Sequence, residues 1–433
     1  MSSPYKTVSF YTFGCKVNFT ESSTIGRQFY NAGYSVVDFD SKADVCVINT
    51  CSVTDNADKK AKKLITRLKN RNPKTFIAVI GCYAQLKPEE ISNIPGVNIV
   101  LGANDKYDVV KYIEDNISAD SIVVSTNIDK VDTFNHSYSL NERTRAYLKV
   151  QDGCDYSCSY CTIPLARGKS ISGELPELIE KANVIAQSGF NEIVLSGINI
   201  GDYKDSTGNT LIELLNAFEQ YTDIPRFRIS SIEPNLLDNQ IIDFVFKSKK
   251  FVPHFHIPMQ SGSNKVLKDM QRRYKIELYV DRIKYIKSID PYSCIGSDVI
   301  VGFPTETDQD FKETYDLIKL LPISYLHVFP YSERINTEAV NFTNVVSDVI
   351  KKERSILLRK LSHQKNQIFY KLNKGQTEQV LFEDYDNNNL IGFSSNYIKV
   401  RIKGQKKYQN KILDIKLNQV KQKFMTGNFQ YEQ

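Results

Sequence analysis

No apolar run in these 433 residues approaches the roughly 18 that a membrane-spanning helix needs. No membrane partner is expected. The opening residues, MSSPYKTVSFYTF, lack a charged segment leading into an apolar one, so no secretory signal is expected and the chain reads as cytoplasmic. Neither sign of charge dominates: the formal net charge of +6 permits an anionic partner without demanding one. Histidine is scarce, at five residues, and His256 and His327 sit in strand-like runs where packing or hydrogen bonding is the ordinary role. Cysteine is also sparse, at eight. In a reducing compartment a cluster of thiols points to metal or redox chemistry rather than to disulfides.

Three of the eight do cluster, in QDGCDYSCSYCTIPLARG, residues 151–168. A disulfide cannot use Cys154, Cys158 and Cys161 together. A zinc site would want a fourth ligand at comparable spacing, and Cys294 is far away. Three thiolates on one iron–sulfide cube, with one iron left open, fit the count better. A structural zinc or a redox loop is the competing reading.

The rest of the chain divides into three. In the first third the strand-like runs TVSFYTFGC, DVCVINTC and TFIAVIGC alternate with helical stretches, ESSTIGRQFYNAG and NADKKAKKLITRLKN, a βαβ pattern that implies a parallel sheet. Cys15, Cys51 and Cys82 each follow the last apolar residue of a different strand. Ligands of open α/β sheets bind at those ends, so the three thiols should meet in one crevice; three unrelated small core residues are the alternative. Cys46, inside a strand, and Cys294, at the start of one, read as core. The middle third offers six strands, RAYLKV, EIVLSG, RFRISS, HFHI, CIGSDVIVG and YLHVFPY. These predict an incomplete barrel of the TIM type with its chemistry on the loops after the strands. A long amphipathic helix follows, and then TEQVLFED, NLIGFSS, YIKVRIKG and KILDIKL suit a small OB-like β-barrel. The fold class is α/β, with an N-terminal parallel-sheet unit over 1–118, a partial (β/α)6 barrel with its connecting helix over 140–370, and a β-barrel over 373–433.

CDYSCSYC resembles the CxxxCxxC loop of radical S-adenosylmethionine (radical SAM) enzymes, including an aromatic residue, Tyr160, before the third cysteine. GCKVNFTES, NTCSVTDNADKKAK, HFHIPMQSGSNKVLKDMQRRY, DVIVGFPTET and HVFPYSERINTEA extend the resemblance to the methylthiotransferase subgroup over nearly the whole chain. That subgroup joins a three-cysteine domain, a radical SAM barrel and a C-terminal TRAM domain. GCKVN and NTCSVT are most similar to the branch acting on threonylcarbamoyladenosine in tRNA. The isopentenyladenosine branch tends to read GCQMN, and the branch acting on a ribosomal protein side chain GCPKN.

The resemblance implies two [4Fe-4S] clusters and S-adenosyl-L-methionine. Cys154, Cys158 and Cys161 would hold the cluster whose open iron binds SAM, and Cys15, Cys51 and Cys82 a second cluster that delivers sulfur. The hydrogen on ring position two of adenine has no useful acidity, so a general base cannot remove it and a cofactor-borne radical is the physical alternative. Tyr160, Ser196, Gly197, Glu233, Ser297 and Asp298 are the candidate SAM contacts, five of them at barrel strand ends. The expected partners are the anticodon stem-loop of tRNA, an electron donor such as flavodoxin or ferredoxin, and a sulfur source. Between Ser395 and Met425 nine Lys or Arg face one acid, with Tyr397, Tyr408 and Phe424 interleaved, a pattern that grips and stacks RNA. The helix from Asp58 to Arg71 adds seven basic residues. After the cysteine loop, LARGKSISGELPELI is less basic than the family pattern leads one to expect, leaving Arg167 and Lys169 for RNA there. The rivals are the same chemistry on isopentenyladenosine or on a ribosomal protein aspartate, and a non-catalytic iron–sulfur RNA-binding redox sensor.

Overall fold

The computed structural model describes residues 6–52, 54–115, 121–140 and 144–430. Its first unit is a six-stranded parallel sheet: β1 (Thr7–Thr12), β2 (Ser35–Val36), β3 (Val45–Thr50), β4 (Phe76–Gly81), β5 (Val97–Leu101) and β6 (Ile122–Val124), in the order β2-β1-β3-β4-β5-β6. Strands β3 and β4 are buried throughout because helices cover both faces. Helix α1 (Lys16–Asn31) starts directly after Cys15, five residues earlier than its apolar spacing suggests, and α2 runs Asp55–Arg71. Cys15, Cys51 and Cys82 follow β1, β3 and β4, which are neighbours in the sheet.

The six strands expected in the middle of the chain all form: β7 (Ala146–Lys149), β8 (Glu192–Ser196), β9 (Arg226–Ile229), β10 (His254–His256), β11 (Cys294–Val301) and β12 (Tyr325–Pro330). They make two parallel triplets, β9-β8-β7 and β10-β11-β12, joined by the bridges Phe227↔Phe251 and Ser231↔His256. The result is a partial barrel, open between β7 and β12. Alternate strand residues such as Ile193, Leu195, Leu326 and Val328 pack outward on the helices as one core, which leaves the other face of each strand for the lumen. The helix Asp348–Leu372, capped by Ser347, connects to a closed five-stranded barrel of β13 (Thr377–Asp386), β14 (Asn389–Ser394), β15 (Lys399–Lys403), β16 (Ile412–Val420) and β17 (Met425–Phe429). Cys46 and Cys294 are core residues, 1% exposed. Among the described residues no helix is long and apolar enough to cross a membrane.

The small barrel is bolted to the strand starts of the large one. Glu192, fully buried, pairs with Arg226 and Arg228. Their guanidinium groups donate on to the carbonyls of Gln379, Phe393, Ser394 and Ser395. Tyr397, expected to stack on RNA, instead closes the lumen floor. Its ring stacks on His254 at 4.4 Å and on Phe393 at 4.9 Å, with Arg228 5.0 Å from its centre.

Candidate active site

The N-terminal crevice is built by close backbone approach. Gly14 has φ +99°, and a Cβ there would fall 2.7 Å from Cys51 Cβ and 3.0 Å from its Sγ. Only glycine lets the backbone just before Cys15 come this close to Cys51. Asn18, one turn into α1, donates from Nδ2 to the carbonyls of Phe13 (2.8 Å) and Thr50 (3.1 Å), tying the ends of β1 and β3 together. Thr50 Oγ1 donates to Ile80 O at 2.6 Å, which ties in β4. The N-terminus of α1 opens at Cys15, where the helix dipole favours negative charge. Cys15 is reached by solvent yet enclosed by protein: burial pushes its thiol up, Arg167 pulls it down, and Cys82 pushes it up again.

The second cysteine set sits on a loop pinned at both ends. Cys154 N–H donates to Gly168 O at 3.1 Å, and Ser159 Oγ donates to Asp269 O at 2.7 Å. Each sulfur accepts a hydrogen bond: Cys154 from Tyr156 N (3.4 Å), Cys161 from Ile163 N (3.4 Å) and Cys158 from Arg272 Nη1 (3.1 Å). Burial and the neighbouring thiols push Cys161 up to about 12, and burial raises Cys154. As bare thiols these stay protonated at neutral pH, so loading metal must displace protons. The donor set fits a cluster better than a lone ion. Among the described residues only His256, Asp298 and His327 bring three ligand atoms all within 4.8 Å of one another. Neither cysteine set brings its three sulfurs all within 4.8 Å of one another, which is compatible with a cluster of several irons.

The two sets face each other across one seam. Thr162, beside Cys161, donates from Oγ1 to the carbonyl of Ser52, beside Cys51, at 3.4 Å. Arg334 clamps the same point, donating to Ser52 Oγ (2.5 Å) and to Asp58 (2.8 Å). Arg167 was expected at an RNA surface, but its side chain is 2% exposed and spans the seam. It donates to Glu21 (2.9 Å), Asp152 (2.9 Å) and Asn18 Oδ1 (2.6 Å). Lys106 and Lys149 complete this buried network, 2.7 Å from Glu21 and 2.9 Å from Asp152. Burial alone would raise Glu21, but Arg167, Lys106 and Lys149 bring it down to about 2. Lys169 remains exposed.

Inside the lumen the candidate contacts separate. Ser297 and Asp298 are consecutive in β11, so they face opposite sides. Ser297 is fully buried on the helix side, where it donates to Ile257 O (2.8 Å) and accepts from Tyr279 (3.0 Å); its hydroxyl is committed there, away from the lumen. Asp298 faces the lumen and is held by His256 Nε2 (2.9 Å) and His327 Nδ1 (3.2 Å). Burial would raise its carboxyl, but those two imidazoles hold it well below the usual range. Ser196 donates to its own strand's Val194 O at 3.2 Å, and Gly197 packs on Gln151, whose Oε1 accepts from Ile198 N and Asn199 N. Glu233 pairs with Arg272, which thereby joins Cys158, Glu233 and the Tyr160 hydroxyl. A cavity of about 270 Å³ runs from Thr54 past Tyr160 and Cys161 to Asp298 and Phe329. Lys16, the first residue of α1, was not singled out from the sequence. Burial, Arg145 and Arg228 push its amine down to about 8, opposed by Asp298 and Cys15.

Basic surface lies outside. A groove on the small barrel of about 1060 Å³ is lined by Arg401, Lys403, Lys421, Phe424 and Phe429. On α2, Lys60, Lys63 and Arg67 form one exposed face at helical spacing.

Comparison with known proteins completes the description. Residues 7–102 match an uncharacterized protein family, UPF0004, and residues 148–318 match the radical SAM superfamily. The chain is 40% identical to the threonylcarbamoyladenosine tRNA methylthiotransferase MtaB of Bacillus subtilis, over 98% of this chain and 96% of that one. It is 38% identical to the MtaB of Aquifex aeolicus, over 92% and 97%. The tRNA-2-methylthio-N(6)-dimethylallyladenosine synthase of Thermodesulfovibrio yellowstonii is 31% identical over 87% of each chain. Among solved structures, the radical SAM methyltransferase TsrM of Kitasatospora setae shares the fold with a TM-score of 0.56, at 12% identity over 75% of this chain and 73% of that one.

Proposed function

The chain belongs to the radical SAM methylthiotransferase family of enzymes, and from that membership we propose that it methylthiolates ring position two of N6-threonylcarbamoyladenosine at tRNA position 37, beside the anticodon. Family membership brings SAM and one [4Fe-4S] cluster; a second cluster on Cys15, Cys51 and Cys82 is part of this reading. When bound, the first cluster and one SAM would supply a 5′-deoxyadenosyl radical to take the adenine hydrogen, the second cluster would supply sulfur, and a second SAM would supply the methyl group. The observation that carries the reading is the Thr162–Ser52 hydrogen bond, which holds the neighbours of Cys161 and Cys51 together at one cavity. Two cysteine sets so joined suit a reaction that needs both a radical and a sulfur atom at one carbon.

The protein's own residues orient and enclose. Arg272 fixes the Cys158 side of the loop and Tyr160 walls the cavity. The Arg167 network and the Arg334 clamp hold the N-terminal sheet against the barrel, which limits water at the seam. The groove at Arg401 and Lys403 and the α2 face suit phosphate contacts, and the target base must turn out of its stack to reach the cavity. The working setting is the cytoplasm, with a low-potential electron donor and a sulfur source as partners. Nucleoside mass spectrometry of tRNA from cells with and without the gene tests the proposal: 2-methylthio-N6-threonylcarbamoyladenosine should vanish without it. An unchanged level in the deleted strain refutes it.

A further inference from the structure

Two consecutive arginines grip the loop that carries Cys154, Cys158 and Cys161. They follow the short helix Asn264–Asp269, which is capped by Ser263 and closed by a left-handed residue, Gln271, with φ 56°. The N–H groups of Gln271 and Arg272 donate back to Lys268 O and Leu267 O, each at 2.9 Å, so the chain turns sharply here. The cysteine loop docks on that turn, with Ser159 N donating to Met270 O at 3.2 Å and Ser159 Oγ to Asp269 O at 2.7 Å. Arg273 lies over the Tyr156 ring at 4.0 Å and donates to Asp155 O at 2.7 Å. Arg272 is buried instead, its side chain 4% exposed. It sits 5.3 Å from the centre of the Tyr274 ring, donates from Nη1 to Cys158 Sγ at 3.1 Å and pairs through Nη2 with Glu233. Its Nε–H is buried with no hydrogen-bond partner among the described residues, which leaves one donor for a bound group. Cys154 and Cys161 accept from backbone N–H groups, both at 3.4 Å. Cys158 alone of the three meets a charged donor among the described residues, and a guanidinium keeps its charge at any working pH.

We propose that Arg272 is a positioning residue that sets the reduction potential of the cluster at this loop. Held by Glu233, it donates to the Cys158 thiolate and stabilises the negative charge that reduction adds. The inference rests on the reading that Cys154, Cys158 and Cys161 hold the cluster that family membership brings. One electron from the low-potential donor lowers the cluster's charge by one, and no proton or bond to the protein changes in that step. Hydrogen bonds to the sulfurs and nearby charge set such potentials. A fixed cation against one ligand sulfur therefore favours the reduced form. Glu233 acts in the opposite sense: its carboxylate partly offsets the guanidinium while it holds Nη2, so the pair presents its positive end to Cys158. Burial enlarges both effects, because a low local dielectric strengthens them. The two side chains should move the potential in opposite directions, which a pair that merely braced the fold would not do.

Potentiometric titration followed by electron paramagnetic resonance tests this on the full chain carrying Cys51→Ala. That parent presents a single cluster whether or not the N-terminal set holds one. Arg272→Met, which keeps bulk and removes the cation, should retain the parent's iron. Its ratio of reduced to oxidised cluster at a fixed potential should fall about tenfold, the worth of one charge-assisted hydrogen bond and equivalent to about 59 mV for one electron. Arg272→Lys, which keeps a cation, should recover part of that loss. Glu233→Gln, which keeps the shape and removes the anion, should raise the ratio. The inference is overturned if Arg272→Met loads full iron and titrates with the parent, or if Glu233→Gln lowers the ratio or leaves it unmoved. Should Arg272→Met load no iron, Glu233→Gln decides alone by the same criterion. Cys158→Ala separates the two levels. Full iron in that variant defeats the reading of the cysteine set and this inference with it, whereas lost iron there and an unmoved potential in Arg272→Met defeat the inference alone.

Discussion

Gly14→Ala isolates the contact on which the N-terminal crevice depends. Two costs are separable, because Gly33 supplies a control. Gly14 and Gly33 have similar left-handed backbones, φ +99° and +89°, but a Cβ at Gly33 meets nothing within 4 Å. Gly33→Ala therefore carries only the conformational term, about 1–2 kcal/mol, and should leave iron binding intact. Gly14→Ala carries the same term and also drives a methyl group against Cys51 at 2.7 Å. Overpacking of that kind adds roughly 1–3 kcal/mol, for about 2–5 in all. The strand end can relieve it only by moving Cys51. Urea unfolding of the apoproteins reads the stability difference, and iron content after anaerobic loading reads the site. Gly14→Ala should bind about one cluster fewer than Gly33→Ala and form little product. Equal stability and full iron in both variants would refute the reasoning.

Replacing Cys154, Cys158 or Cys161 with Ala should abolish SAM cleavage while the iron of the N-terminal set remains; 5′-deoxyadenosine formation by Cys158→Ala would exclude that assignment. Replacing Arg401, Lys403 and Lys421 together with Ala should weaken tRNA binding and flatten its salt dependence, because fewer counterions are released; an unchanged slope in filter binding would make the groove an ordinary solvated surface. Burial alone would raise Glu192, but Arg226, Arg228 and Arg145 bring it down to about 2. A carboxyl depressed in the fold contributes stability above its unfolded pKa, near 4.5, and loses it as pH falls toward 2. Acid unfolding of the Glu192→Gln apoprotein should therefore show a shallower decline across that window than the wild type, and parallel curves would count against the network.

The strands were legible where apolar residues run together, as in VCVINT, FIAVIG and all six barrel strands. The sequence-based expectation lacks four strands: the two-residue β2, the apolar VNIVL and IVV of β5 and β6, and the final MTGNF, which has little apolar content. The cysteines announced themselves by spacing and by position after strands. What stayed hidden depended on which way a side chain turns. Tyr397 lies in a basic, aromatic run and reads as an RNA contact, yet its left-handed backbone, φ 65°, turns it onto His254 at the lumen floor. Arg167 looks like a surface cation until Glu21, far away in sequence, is folded against it. Ser297 and Asp298 could have been told apart from the sequence, since neighbours on a strand cannot both face the lumen. His256 and His327 read as hydrogen-bonding residues and are so, but nothing local indicates that they share Asp298.

The central claim is a division of labour between two cysteine sets joined at one seam, and Cys51→Ala tests it most directly. On a single anaerobic sample, iron, 5′-deoxyadenosine and methylthiolated nucleoside should be measured together. The account predicts iron reduced by about one cluster's worth, since each cluster depends on its own cysteines, with 5′-deoxyadenosine still formed and no methylthio product. Methylthiolated nucleoside made by a protein carrying only the cluster at Cys154, Cys158 and Cys161 would contradict it.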